Sequence, residues 1–268
     1  MFLRLLLKMN SMCEQRGISM VTVDLNCDLG EGFGDDIIPY ITSANIACGF
    51  HAGDPDIMRR TVRACIKHNV AIGAHPGYND KDNFGRININ LSFEETVNLV
   101  LYQIGALKAI TEAEGGCLRH VKVHGALYNL AVNHELAAAA VVEAITLSGS
   151  GLMLFAPPGS AMERIGSQKG LKVIAEVFAD RNYNHDLSLV SRQEVHALVS
   201  SPDDAAARAV EMVIQNRVCT IQGNYVPLKP RTICLHGDSP QAFKMASMIR
   251  IALLDSGITI AAPAPESR

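Results

Sequence analysis

The chain has 268 residues, a formal net charge of -3 and an apolar fraction of 48%, so it can bury a large core and is not intrinsically disordered. Its 24 Lys and Arg residues are balanced by 27 Asp and Glu residues without a basic block, and it contains no Trp, so nucleic-acid binding is not favoured. No apolar run reaches the ~18 residues that a membrane-spanning helix needs.

Short apolar runs rich in Val and Ile alternate with longer helical patterns along the chain. The runs that predict strands begin, in chain order, at Val21, Ala44, Val70, His120, Leu152, Leu171, Thr232 and Ile258. Because these runs are apolar on both faces, they are typical of buried parallel strands. Their alternation with helices predicts one α/β domain over residues 20–268, a (β/α) barrel with seven to eight parallel strands. An open doubly wound sheet is the alternative.

Capping residues mark where several of the helices begin. Three residues precede a Pro and read as an N-cap followed by Pro at the first helical position: Asp54, Ser201 and Ser239. Two further segments, which begin at Ser92 and Ser191, have the S-x-x-E spacing of a capping box. Each of these signals predicts a helix.

The first 19 residues differ from the rest of the chain. The segment begins MFLRLLLK, and its apolar stretch is shorter than the core of a signal peptide and lacks an A-x-A cleavage site. We expect residues 1–19 to be an N-terminal extension, disordered or upstream of a true start at Met20, and the protein to be cytoplasmic. The 7 cysteines, which are scattered and never spaced as C-x-x-C, agree with a reducing compartment.

Polar and ionisable side chains follow almost every predicted strand. In a parallel barrel the carboxyl ends of the strands lie at one rim, where active sites are found, so these groups are expected to share one pocket. The candidate catalytic residues are Asp28, Glu31, His51, His75, Lys122, His124 and His236. The candidate substrate-binding residues are Asn26, Asp54, Arg86, Glu176, Arg181 and Asp238, with Arg86 taken from an NFGR segment.

The two-residue period of a strand indicates which of these polar side chains share a face. Asp24, Asn26 and Asp28 alternate along the first strand and share one face, as do Lys122 and His124 on the fourth. If that face points into the barrel, a lysine and several carboxylates meet in a space of low dielectric constant. Charges in such a space must be paired or functional, because an isolated buried charge is costly.

Several competing interpretations stay open. Asp24 is also read as a structural carboxylate, and Asp54 as a helix cap. Histidines and carboxylates from separate strands leave a metal site open, because both ligand types suit Zn²⁺, although an H-E-x-x-H motif is absent. The phosphate loop, the dinucleotide fingerprint and the G-x-S-x-G elbow are also absent. The remaining histidines are expected to be solvated in helices, caps or loops: His68, His120, His134, His185 and His196.

Long motifs of the chain resemble those of the LamB/YcsF family: VDLNCDLGEGFG, SANIACGFHAGDP, VAIGAHPGYND, NFGR, HVKVHGALYN, EVFADRNY and CLHGDSP. The resemblance runs from about Val21 to Pro263. It implies a distorted (β/α) barrel akin to glycoside hydrolase/deacetylase folds and a role as the A component of a prokaryotic 5-oxoprolinase. That activity is the ATP-dependent opening of 5-oxoproline (pyroglutamate) to L-glutamate, with Mg²⁺ accompanying ATP and with subunits B and C as partners.

The resemblance also implies roles for the strand-end residues. Lys122 and Arg181 are candidate clamps for the substrate carboxylate or a phosphate, and Asp28 or Glu31 would orient or deprotonate water. The four strand-end histidines are candidate acids, bases or metal ligands. ATP would bind without a phosphate loop or at a subunit interface. Two alternatives stay open: a metal-dependent deacetylase-like hydrolase acting on a sugar, and a non-catalytic substrate-binding subunit of the same complex. No nucleic-acid or membrane partner is expected, and a homo-oligomer is left open.

Overall fold

The computed structural model describes residues 21–33, 35–149, 151–192, 194–237 and 241–264. These residues form the strands β1 (Thr22–Leu29), β2 (Ser43–Ala47), β3 (Ala71–His75), β4 (Leu118–Val121), β5 (Met153–Ala156), β6 (Val173–Phe178), β7 (Arg217–Cys219), β8 (Tyr225–Pro227), β9 (Thr232–His236) and β10 (Thr259–Ile260). Strands β1 to β6 pair in chain order, and β9 pairs with both β6 and β1. The sheet therefore closes, and the predicted barrel with seven parallel strands is confirmed.

Helices connect the barrel strands and pack outside them. They are α1 (Pro55–Lys67), α2 (Phe93–Ala113), α3 (Gly125–Asn133), α4 (Glu135–Leu147), α5 (Ala161–Gln168), α6 (Pro202–Gln215) and α7 (Ala242–Asp255), with a 3₁₀ helix at Asp35–Tyr40. The predicted caps at Asp54 and Ser201 accept backbone hydrogen bonds in the first turns of α1 and α6, and Ser92 forms a complete capping box at α2. The predicted cap at Ser239 lies outside the described residues.

The segment between β6 and α6 departs from the prediction. The expected capping box at Ser191 is wrong, because the backbone N–H of Glu194 donates to the Ser191 carbonyl in a turn and the described residues there form no helix. Val195 and Leu198 are 93% and 54% exposed, so the larger apolar side chains of this segment bury little surface, and α6 starts soon afterwards at Pro202. The antiparallel pair of β7 and β8, which was not predicted, follows α6.

The alternation along β1 divides the core into two parts. Leu25, Cys27 and Leu29 belong to the apolar core that the strands share with the helices. Asp24 and its alternate neighbours therefore face the barrel interior, and all are buried. This interior face is polar, as the period of the strand predicted.

The prediction that His120 is solvated is wrong. It lies on β4, is fully buried, and its Nε2 is 2.8 Å from Oδ1 of Asn45 while its ring stacks on Phe155. Burial, with the nearby charge of Lys122, lowers the pKa of His120 to about 3, so the ring is neutral. The prediction failed because His120 occupies an interior-facing strand position. A Cβ on Gly73 would lie 2.1 Å from its Nε2, so β3 must have a glycine there.

No single helix within the described ranges is long and apolar enough to cross a membrane. Helices α3 and α4 meet that length and composition only as a pair, with a bend of 115° between them. The expected extension over residues 1–19 lies outside the described residues, and the single domain over residues 20–268 stays a prediction.

Candidate active site

The carboxyl ends of the barrel strands surround a cavity of about 540 Å³. Nine of the predicted site residues line it: Asp28, Glu31, His75, Arg86, Lys122, His124, Glu176, Arg181 and His236. His51 is buried directly behind this lining and contacts Glu31. The expected convergence of the strand ends is therefore present in the structure.

The other predicted residues lie elsewhere. Asn26 is fully buried beneath the cavity, where its amide donates to Glu176 and Thr232. Asp54 is exposed and caps α1, its Oδ1 accepting from the backbone N–H of Ile57 at 2.8 Å. Asp238 lies outside the described residues.

The floor of the cavity is a buried group of charges, which we call the Lys122 ion cluster (Asp28, Lys122 and Glu176). Nζ of Lys122 lies 2.8 Å from Oδ1 of Asp28, 3.2 Å from Oε1 of Glu176 and 2.9 Å from Sγ of Cys234. Burial alone would lower the pKa of Lys122, but Asp28 above all raises it well above its usual value. Burial would raise the pKa of Asp28, yet His75 and Lys122 bring it well below its usual range. Both groups are therefore charged at neutral pH.

Hydrogen bonds from below hold the two carboxylates in place. Nδ2 of Asn45 donates to Oδ1 of Asp28 at 2.8 Å. Nδ2 of Asn26 and the hydroxyl of Tyr128 donate to the two oxygens of Glu176, at 3.1 Å and 2.7 Å. The carboxylates thus have fixed positions before any ligand enters.

One side of the cavity is a histidine cluster, formed by Glu31, His51, His75 and His124. Oε1 of Glu31 lies 3.0 Å from Nε2 of His51, 3.3 Å from Nδ1 of His124 and 3.8 Å from Nε2 of His75. The rings of His51 and His124 stack with centroids 3.7 Å apart. Each residue of the cluster offers a ligand atom, and these atoms all lie within 4.8 Å of one another, so the cluster could hold a metal ion.

The environment sets the charge of these imidazoles. Burial lowers the pKa of His51, and burial with the neighbouring His51 and His75 lowers the pKa of His124 well below its usual value. Burial would also lower the pKa of His75, but the charge and hydrogen bond of Asp28 raise it instead. Burial therefore favours the neutral form of His51 and His124, whereas Asp28 favours the protonated form of His75.

Three arginines also line the cavity, and we call them the arginine wall: Arg86, Arg181 and Arg192. Arg181 is buried, its Nη2 donates to the Val190 carbonyl at 2.7 Å, and its Nε has no hydrogen-bond partner among the residues described. Burial, followed by the like charge of Arg192, lowers the pKa of Arg181. A buried guanidinium with an unused donor is suited to an anionic ligand.

His236 completes the lining near the Lys122 ion cluster. Its Nδ1 lies 2.8 Å from Oδ2 of Asp180, and the same oxygen accepts from its backbone N–H at 3.1 Å. Burial would raise the pKa of Asp180, but His236 lowers it, so this carboxylate is ionised and orients the ring.

Five residues of this arrangement are absent from the predicted set: Asn45, Tyr128, Asp180, Arg192 and Cys234. Asn45 had a detectable signal, because it alternates with Ser43 on a strand that was read as apolar. Tyr128 lies on α3 and reaches the barrel interior only through the tertiary fold, so no local pattern identifies it.

The sequence was also compared with known proteins. The model of the LamB/YcsF family matches residues 23–268. The A component of 5-oxoprolinase from Brevibacillus brevis is 48% identical over 250 residues, which are 91% of this chain and 98% of that protein. The corresponding 5-oxoprolinase component of Geobacillus thermodenitrificans is 46% identical over 255 residues, or 93% of this chain and 100% of that protein.

A solved structure is similar as well. The crystal structure of the lactam utilization protein from Thermus thermophilus has 40% sequence identity and a TM-score of 0.85, covering 90% of this chain and 100% of that one. The similarity in sequence and in fold therefore extends over nearly the same residues.

Proposed function

Because the chain belongs to the LamB/YcsF family, we propose that it is the A component of a 5-oxoprolinase and that 5-oxoproline is opened to L-glutamate in its cavity. Ring opening consumes one water, and the accompanying conversion of ATP to ADP and phosphate consumes another. The observation that carries the proposal is the placement of the Lys122 ion cluster and the arginine wall around one cavity. A reaction that uses ATP is expected in the cytoplasm, with subunits B and C as partners.

The chemistry of the substrate fits the two sides of the cavity. 5-Oxoproline carries one carboxylate, for which the guanidinium of Arg181, which lines the cavity, is the proposed partner. Its lactam carbonyl is a neutral acceptor, for which the ammonium of Lys122 is the proposed donor. The volume of about 540 Å³ lies within the ~300–1,000 Å³ typical of small-molecule sites and exceeds what this small ring fills, so a phosphate group can enter beside it.

Opening a lactam requires water to attack the carbonyl carbon, the C–N bond to break and the ring nitrogen to gain a proton. ATP, when bound, would supply a phosphoryl group that activates the carbonyl oxygen, and the second water would release this group as phosphate. Asp28 stays ionised and accepts a hydrogen bond from the attacking water, which it thereby orients. Its low pKa makes it a weak base, so removal of the water's proton falls to the histidine cluster. His236, oriented by Asp180, is the proposed donor to the ring nitrogen.

The test is reconstitution. The purified chain is combined with its B and C partners, 5-oxoproline, ATP and Mg²⁺, and glutamate is measured by chromatography. We expect glutamate from the complete mixture and little from the chain alone or from the mixture without ATP. Absence of glutamate from the complete, assembled mixture would contradict the proposal.

A further inference from the structure

We propose that the histidine cluster binds one divalent first-row metal ion of the Zn²⁺ class, held by His51, His75, His124 and Glu31. This site goes beyond the proposed function and does not depend on it, because metal binding is measured on the isolated chain. If the isolated chain binds no metal, the test of glutamate formation by the complete mixture is unaffected. If the complete mixture forms no glutamate, the test of metal binding is unaffected.

The spacing of the candidate ligand atoms fits such an ion. In a tetrahedral site with metal–ligand bonds of ~2.0–2.1 Å, ligand atoms lie about 3.3 Å apart. In the cluster, Oε1 of Glu31 is 3.0, 3.3 and 3.8 Å from one nitrogen of His51, His124 and His75, respectively. Nδ1 of His124 is 2.9 Å from Nε2 of His75. Imidazole lone pairs lie in the ring plane, and the His51 and His124 rings are parallel with centroids 3.7 Å apart, so one of these two rings must also rotate to seat one cation among them.

Backbone carbonyls determine which ring nitrogen of His75 and of His124 carries a hydrogen. Nδ1 of His75 lies 2.7 Å from the Lys122 carbonyl, and Nε2 of His124 lies 2.9 Å from the Phe84 carbonyl. A carbonyl only accepts, so both of these nitrogens carry a hydrogen. When both rings are neutral, the two inward nitrogens are lone pairs that face each other at 2.9 Å, and they repel unless a proton or a metal ion lies between them. Metal-bound histidines are oriented by such backbone hydrogen bonds.

The ligand set and its access select the kind of ion. Three imidazole nitrogens and one carboxylate oxygen suit Zn²⁺ and its first-row neighbours, whereas Ca²⁺ and Mg²⁺ prefer sites made of oxygen. Glu31, His75 and His124 all line the cavity, so an ion among them is reachable from it. A divalent ion at this position would lower the pKa of a water bound to it, so the cluster would activate water through the ion rather than through a free imidazole.

Glycines let the backbone pack closely against His51. A Cβ on Gly77 would lie 2.8 Å from Nδ1 of His51, and a Cβ on Gly85 would lie 2.8 Å from Cβ of His51. Gly85 also has a φ of +62°, which other residues adopt only with strain. The loop after β3 therefore lies directly against His51, and only glycine permits this approach.

A second group of possible ligands lies nearby but is already neutralised. Asp28, Cys234 and His236 also place ligand atoms within 4.8 Å of one another. The ammonium of Lys122, however, lies within hydrogen-bond distance of both Asp28 and Cys234. Because a cation already occupies this position, the histidine cluster is the site we assign.

The experiment measures metal in the full-length chain. The protein is stripped with a chelator, reloaded with ZnCl₂, desalted and analysed by mass spectrometry for zinc, and its thermal unfolding is followed with and without Zn²⁺. We expect one zinc per chain and a higher unfolding temperature when it is bound. A folded wild-type chain that retains no zinc would overturn the proposal, and a proton shared by His75 and His124 would then separate their lone pairs.

Variants locate the ion. His51→Ala and His124→Ala should each weaken zinc binding by at least ~100-fold, whereas His236→Asn, in the neighbouring group, should retain stoichiometric zinc. Loss of zinc in His236→Asn with retention in His124→Ala would overturn the assignment. If the alanine variants fail to fold, the wild-type chain loaded with Co²⁺ decides: intense visible absorption of a tetrahedral Co²⁺ centre supports the site, and the weak absorption of a hydrated ion contradicts it.

Discussion

Replacing Lys122 with Met tests whether the floor of the cavity holds a buried charge. Methionine keeps most of the side-chain volume but removes the ammonium, which lies 2.8 Å from Asp28 and 3.2 Å from Glu176. The Lys122 side chain is only 3% exposed, so the carboxylates would remain buried without their counter-charge. Removing one partner of a buried ion pair costs about 3–5 kcal/mol, and we expect Lys122→Met to lower the free energy of unfolding by that amount.

The assay is urea-induced unfolding at pH 7, followed by far-UV circular dichroism because the chain has no Trp. The control is Lys169→Met, which removes a lysine whose side chain is 58% exposed and 3.8 Å from Glu143, and which should cost less than about 1 kcal/mol. The double variant Lys122→Met/Glu176→Gln should recover part of the loss, since one uncompensated carboxylate is removed with the lysine. If Lys122→Met costs no more than Lys169→Met, the reasoning about the ion cluster is refuted.

Three further changes test other parts of the structure. Burial raises the pKa of Asp24 from 3.8 to about 6, so its contribution to stability is present at low pH and lost as the pH rises through 6. The free energy of unfolding of the wild type minus that of Asp24→Asn should therefore fall by about 2–3 kcal/mol between pH 4 and 7. A difference that stays constant with pH would contradict this. Gly73→Ala places a Cβ 2.1 Å from Nε2 of His120 and should lower the free energy of unfolding by about 1–3 kcal/mol. The control Gly105→Ala lies in α2, where the added Cβ has nothing within 4 Å, and should not lower it. Equal effects of the two variants in urea unfolding would argue against the close packing of Gly73 and His120. Arg181→Met in the assembled complex should raise KM for 5-oxoproline by about 10- to 100-fold, from the loss of a charge-assisted hydrogen bond, and an unchanged KM in steady-state kinetics would exclude Arg181 as the carboxylate partner.

Much of the barrel could be predicted because its strands are buried on both sides. Runs such as those of β3 and β9 are largely apolar, short and followed by polar residues, and these features can be recognised without knowledge of the fold. The S-x-x-E pattern worked at Ser92, where an apolar helical stripe follows and is buried, and failed at Ser191, where Val195 and Leu198 have helical spacing but stay exposed. A capping pattern reports only that a helix can begin, while the buried face decides whether one forms.

The candidate site was predictable to the extent that parallel strands end at one rim. That rule brought together residues as distant in sequence as Glu31 and His236. It could not identify the residues that hold them from within the barrel, such as Asn45 and Tyr128, because these depend on which side chains meet across the interior. The prediction for His120 failed for the same reason, since the residues around its ring come from β2, β3 and β5.

Glutamate formation by the assembled complex with Asp28→Asn tests most directly whether the ring is opened in this cavity. The substitution keeps the shape of the side chain and removes the charge that faces Lys122 and His75. With assembly verified by size-exclusion chromatography, turnover should fall by about 10²- to 10⁴-fold relative to the wild-type complex. Full turnover by an intact complex that carries Asp28→Asn would contradict a reaction at this site.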